Sequence, residues 1–107
     1  MKRIENPELL RQLHGRKCEI SSCVKAGEVH HIITRSRGGP DVPWNLMTLC
    51  PLHHRGEWHD KGVRFMLDTY PELIKNLYDR GFQWEPHFGK LFPPTVFKTM
   101  SKGHVID

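Results

Sequence analysis

No run of apolar residues in this 107-residue chain approaches the ~20 needed to cross a bilayer, so no transmembrane helix is expected. The charged start, Met1-Lys2-Arg3-Ile4-Glu5-Asn6-Pro7, leads into no apolar stretch, and a secretory signal is not expected either. Cysteine is scarce and odd in number: Cys18, Cys23 and Cys50. Three cysteines exclude a pure disulfide framework. Without a signal they point to a reducing compartment, where a metal site is the better use of thiols. Internal repeats and low-complexity stretches are missing too, which excludes repeat architectures.

The chain is 37% hydrophobic and 26% charged, which suits one folded domain over 1–107 with a small core. Cores of that size often need a metal or disulfide staple. A net charge of +4 and a pI of about 9.2 favour a polyanionic partner, nucleic acid before membrane. Histidine is the anomaly. There are 8, and His14, His30, His31, His53, His54 and His59 all fall in the first sixty positions.

Local signals place the elements. Asn6-Pro7-Glu8 opens a short helix with Leu9, Leu10 and Leu13 on one stripe and Gly15 to close it, within an N-terminal part spanning 1–17. Residues 29–33 have strand composition, Thr34 to Pro43 form a loop, and Leu46 to Leu49 form a second strand. A helix starting at Pro51 follows, weakened by Gly56. Beyond an 18–62 core, a helical extension over 63–81 comprises helices at about Lys61–Thr69 and Pro71–Arg80, separated by Tyr70-Pro71 and stopped by Gly81. The tail, 82–107, carries aromatics and prolines and either docks or frays.

Two spacings indicate a structural metal. Cys18 and Cys23 form a C-x4-C pair, and Cys50 and His53 form a C-x2-H pair at the strand-to-helix junction. Three thiolates and one imidazole complete a tetrahedral zinc site, closing a loop of roughly thirty residues. The remaining histidines suggest chemistry. Hydrolysis of a phosphodiester needs a base for water and a cation for the developing charge. Adjacent His30 and His31 cannot point the same way from a regular strand, so one suits a metal and the other a substrate. Asn45 can pin the loop between the strands through its amide. His54, next to a zinc ligand, can reach back to a cation held against the strand.

Cys18-x4-Cys23, Val29-His30-His31-Ile32, Gly38-Gly39-x-Asp41, Trp44-Asn45-Leu46, Leu49-Cys50-x2-His53-His54 and His59-x2-Gly62 together resemble the HNH endonuclease family, in particular the small zinc-containing proteins of bacteria and their phages. The resemblance covers about residues 18–62. It implies an α+β fold with a ββα-metal, treble-clef-like core stapled by zinc and flanked by helices. It implies that His31 is the general base and that Asn45 orders the hairpin loop. His30 and His54 are the implied ligands of one catalytic divalent cation (Mg²⁺, Mn²⁺, Ni²⁺ or Zn²⁺). Cys18, Cys23, Cys50 and His53 match the structural zinc ligands, and the implied products carry 5′-phosphate and 3′-hydroxyl ends.

His59 departs from that pattern. Similar sequences place a second helical histidine four residues after the His54 position, whereas here the gap is five, about 140° of turn on an ideal helix. A break at Gly56 or a π-bulge would restore alignment and make His59 a third ligand; otherwise it is a surface histidine near the helix end.

DNA is the expected partner, and no membrane is. Arg35 and Arg37, close to His31, are the best candidates for phosphate contacts, with Ser36, Arg16, Lys17, Lys25, Lys61 and Arg64 as further polar or cationic groups. The resemblance leaves room for a phage terminase or packaging protein as a second partner. It points to the cytoplasm of a bacterial or phage-infected cell, and to a monomer or weak dimer. Two other functions compete: a zinc-containing module that grips DNA without cutting it, and a structural partner in a phage packaging machine.

Overall fold

A computed structural model describes residues 3–98; residues 1–2 and 99–107, the end of the expected tail, lie outside the described residues. Helix α1 (Pro7–Leu13) begins as its sequence dictates: the Asn6 side chain accepts the Leu9 N–H at 3.1 Å and Pro7 takes the first helical position. It buries none of its residues. The chain then turns back on itself. Lys17 bridges Ala26 in antiparallel fashion, and a tight turn from Ile20 to Cys23 presents the first cysteine pair.

Strands β1 (Glu28–His31) and β2 (Leu46–Leu49) pair antiparallel, with His30 opposite Met47 and His31 opposite Leu46. β2 is buried along its whole length and forms the floor of the core. Strand β1 is shorter than the expected 29–33 stretch because Ile33 leaves the ladder to bond the Asn45 side chain. The connecting loop depends on glycine. A Cβ on Gly39 would lie 1.8 Å from the Ile33 carbonyl oxygen, so no larger residue fits.

After Cys50 the chain enters a π-helical segment, Leu52–His59, which runs into α2 (Asp60–Thr69). Gly56 does not break it. The departure from helical conformation comes at Gly62, with φ 89° and ψ 170°. Tyr70 ends α2 ahead of Pro71. Helix α3 (Glu72–Asp79) closes in a Schellman motif. Gly81 takes φ 96°, its N–H reaches the Tyr78 carbonyl at 2.9 Å, and the Phe82 N–H reaches the Leu77 carbonyl at 3.0 Å.

That motif delivers Phe82 into the core, beside Met47, Leu49, Met66, Leu67, Leu73 and Leu77. The helical extension and the ββα unit therefore share one apolar interior. The described part of the tail docks. Strands β3 (Gln83–Glu85) and β4 (Lys90–Phe92) form a second hairpin whose Trp84 and Leu91 pack on the core. No helix among the described residues is long and apolar enough to cross a membrane.

Candidate functional site

Two clusters of ligand-type side chains flank the helix that begins after Cys50. In the first, Cys18, Cys23, Cys50 and His53 bring their donor atoms within 4.8 Å of one another. The His53 Nδ1 lies 3.4 Å from the Cys18 sulfur and 3.3 Å from that of Cys50, and the Cys23 and Cys50 sulfurs are 3.9 Å apart. The cysteines are unbonded thiols. Tetrahedral zinc, with Zn–S near ~2.3 Å and Zn–N near ~2.0 Å, separates its ligand atoms by about 3.5–3.8 Å, close to these three separations, so the cluster suits such an ion. Behind it, Glu57 accepts the Tyr70 hydroxyl at 2.7 Å and sits 3.9 Å from the outer nitrogen of His53. Burial and the hydrogen bond to Glu57 push the Tyr70 phenol up to about 12, so it stays a donor.

The second cluster comprises His30, His54 and His59, whose donor atoms also converge within 4.8 Å. Strand alternation puts Glu28 and His30 on the face of β1 that meets the π-helical segment. Glu28 accepts from His54 Nδ1 at 2.7 Å, which fixes the His54 tautomer and leaves its Nε2 facing inward. Hydrogen bonds from Arg55 and His54 outweigh burial and keep the Glu28 carboxyl below its ordinary range.

The His54 and His59 Nε2 atoms stand 3.0 Å apart, close to the separation of two imidazoles on one ion. This contact depends on the backbone. Five residues span about 140° beyond full turns in an α-helix, but the wider π-turn stacks them on one side. The π alternative is thus the one the chain adopts, and His59 joins the cluster.

His30 gives the clearest sign that a ligand belongs here. It is 2% exposed, packs against the Trp58 ring at 4.3 Å between centroids, and neither ring nitrogen has a hydrogen-bond partner among the described residues. Burial, and then the neighbouring histidines, hold its pKa well below the ordinary 6.5, so the imidazole is neutral with a lone pair to give. Burial lowers the His54 pKa as well, against the pull of Glu28. An orphaned buried imidazole is unfavourable unless a water or a cation meets it, and the donor set suits a divalent ion.

His31 points elsewhere. Its Nε2 lies 2.7 Å from Asp41 Oδ1, and it lines an open groove of about 400 Å³ together with Thr34, Arg35, Ser36, His54 and His59. Burial would raise the Asp41 carboxyl, but hydrogen bonds from the Asn6 N–H, His31 and Arg3 overcome it and hold the pKa at about 2. The carboxylate can only accept, so the imidazole donates from Nε2. Asn45 is wholly buried. Its Oδ1 accepts the Ile33 N–H at 2.7 Å, and its Nδ2 donates to the Ile33 and Pro40 carbonyls, each at 3.1 Å, tying the two ends of the loop together.

The two loop arginines separate. Arg35 borders the histidine groove, whereas Arg37 borders a neighbouring apolar groove with Trp58 and Phe92. Several of the other expected phosphate contacts are engaged within the fold. Lys17 bonds the Cys18 and Ile20 carbonyls, Arg64 bonds the Pro86 carbonyl, Lys61 lies over the Phe65 ring, and Ser36 pairs with Thr34.

The roles of Asp41, Glu28 and Trp58 escaped sequence reasoning. Asp41 stood in a recognised motif without a partner. Glu28, two residues before His30 on one strand face, carried the periodicity that marks a supporting carboxylate.

Residues 15–61 match the HNH endonuclease family. The match spans 47 of the 107 residues. No curated protein and no solved structure gives a significant match to the chain. The HNH match takes in both metal clusters, β1, β2 and the π-helical segment, and the α+β architecture agrees with a ββα-metal core. It leaves α1, α3 and the second hairpin outside.

Proposed function

We propose that the protein is a metal-dependent endonuclease that hydrolyses DNA phosphodiesters, with His31 as general base and with His30, His54 and His59 holding one divalent cation. The observation that carries this reading is the unpartnered, buried His30 aimed at two further imidazoles, with His31 beside it turned toward the open groove. Zinc is the ion proposed for the four-ligand cluster, where it staples the loop hairpin to the helix.

A divalent ion on the three histidines would stabilise charge on the phosphate and on the departing oxygen. The chain's own residues do the rest. Asp41 occupies His31 Nε2, so Nδ1 is the nitrogen that accepts the proton of an attacking water. The water oxygen forms its bond to phosphorus as the bond to the 3′-oxygen breaks, and that oxygen takes its proton from solvent. Asn45 holds the loop that positions His31 and Arg35. Arg35 offers its guanidinium to a neighbouring phosphate.

The test is a plasmid-nicking assay with wild type and His31→Ala in Mg²⁺, Mn²⁺, Ni²⁺ or EDTA, beside a bound-zinc measurement. The reading requires metal-dependent cleavage that His31→Ala abolishes with zinc retained. Binding without cleavage, unaffected by His31→Ala, would leave a zinc-containing DNA-binding module instead.

A further inference from the structure

The segment before α1 lies outside the family match, yet it reaches the candidate site. Asp41 is 2% exposed, and its carboxylate has three partners. Oδ2 accepts the Asn6 N–H at 2.8 Å. Oδ1 accepts from Arg3 Nη1 and from His31 Nε2. The strap is fastened to the loop as well: the Asp41 N–H donates to the Ile4 carbonyl at 2.9 Å, and Arg3 Nη1 donates to the Gly39 carbonyl at 3.1 Å. Apart from His31, every partner of the Asp41 carboxylate among the described residues comes from Arg3–Asn6.

We propose that Asp41, clamped by Arg3 and the Asn6 backbone, is the positioning residue that fixes the orientation and tautomer of His31, so that the N-terminal strap is a working part of the site. The inference rests on the nuclease reading of His31. A carboxylate accepts but cannot donate, so it keeps the imidazole proton on Nε2 and the lone pair on Nδ1. Arg3 and the Asn6 N–H keep that carboxylate ionised and stop it from rotating away. A one-ångström displacement of a catalytic group is enough to reduce a rate substantially.

The experiment compares wild type, His31→Ala, Asp41→Asn, Arg3→Ala and Arg3→Lys. Each zinc-loaded protein is assayed for kcat and KM on plasmid DNA. Imidazole ¹⁵N shifts report the His31 tautomer. Asp41→Asn can turn its amide N–H toward Nε2 and drive the proton onto Nδ1; an Asp→Asn swap beside a catalytic histidine has this effect in the serine-protease triad, at about 10⁴-fold in kcat. The expected result is a fall in kcat of at least ~100-fold with KM little changed and the tautomer exchanged. Arg3→Ala is expected to lower kcat roughly 10- to 100-fold, the range for outer supporting partners, with partial rescue by Arg3→Lys.

Unchanged kcat and unchanged ¹⁵N shifts in both Arg3→Ala and Asp41→Asn would overturn the proposal. If wild type cuts no DNA, the nuclease reading fails separately. The ¹⁵N shifts then still decide whether Asp41 sets the His31 tautomer, and an unaltered tautomer in Asp41→Asn refutes it.

Discussion

Replacing Asn45 with Ala removes three hydrogen bonds at once, to the Ile33 N–H, the Ile33 carbonyl and the Pro40 carbonyl. Asn45 is 0% exposed, so water cannot easily replace the lost partners. At ~1 kcal/mol net per hydrogen bond, and more where a buried group is left unsatisfied, the expected destabilisation is about 3–5 kcal/mol. That is a large share of the ~5–15 kcal/mol a domain possesses, and at ~4–8 °C per kcal/mol it lowers Tm by more than ~12 °C.

Asn45→Asp sharpens the argument. The carboxylate still accepts from Ile33 N–H but turns lone pairs toward two carbonyl oxygens, so it should destabilise at least as much as Ala. The assay is urea unfolding by far-UV circular dichroism in saturating zinc, so that metal loss does not confound the comparison. A loss below ~1 kcal/mol for Asn45→Ala, or near-wild-type stability for Asn45→Asp, would refute the claim that this amide ties the loop.

Three further predictions follow from the same geometry. A strong chelator should unfold the domain, and so should acid, because thiolates and imidazole must be deprotonated to hold zinc. The Asp41 pKa, about 2 against an ordinary 3.8, is depressed, so its stabilising contribution is complete above the ordinary value and is lost only as pH falls through the folded one. Acid unfolding should therefore coincide with zinc release at higher pH, and a transition that tracked Asp41 instead would contradict this. Tyr70→Phe should reduce stability by about 1 kcal/mol in thermal melts, through the lost bond to Glu57, with no effect expected on the three-histidine site. Deleting Gly56 shortens the His54–His59 spacing to the four residues that an α-helix aligns. Manganese binding measured by calorimetry should survive that deletion and disappear when a residue is inserted instead.

Sequence carried the locally encoded parts of this molecule. The C-x4-C and C-x2-H pairs converge as their spacing requires, β2 occupies Leu46–Leu49 as its composition indicates, and Gly81 ends α3 one turn from where the apolar stripe stops. His59 was ambiguous because the choice between α and π geometry belongs to the whole Leu52–His59 segment rather than to Gly56 alone.

The second hairpin was missed since its strands have three residues each and sit among prolines, where periodicity has too few positions to register. The strap from Arg3 to Asp41 spans 38 residues and depends on where the folded hairpin places the loop. No local pattern encodes such a contact. Trp58 belongs to the same class, since its role exists only once β1 and the π-helical segment are side by side, whereas Glu28 left a local trace in its two-residue spacing from His30.

The central claim is that His30, His54 and His59 hold an exchangeable cation that works with His31 on DNA. It is tested most directly by titrating Mn²⁺ into zinc-retaining protein cleared of its exchangeable ion, while following the conversion of supercoiled to nicked plasmid. The account predicts saturable activation in wild type and none in His30→Ala, with bound zinc equal in both. Equal cleavage by His30→Ala, or full activity before any manganese is added, would contradict it.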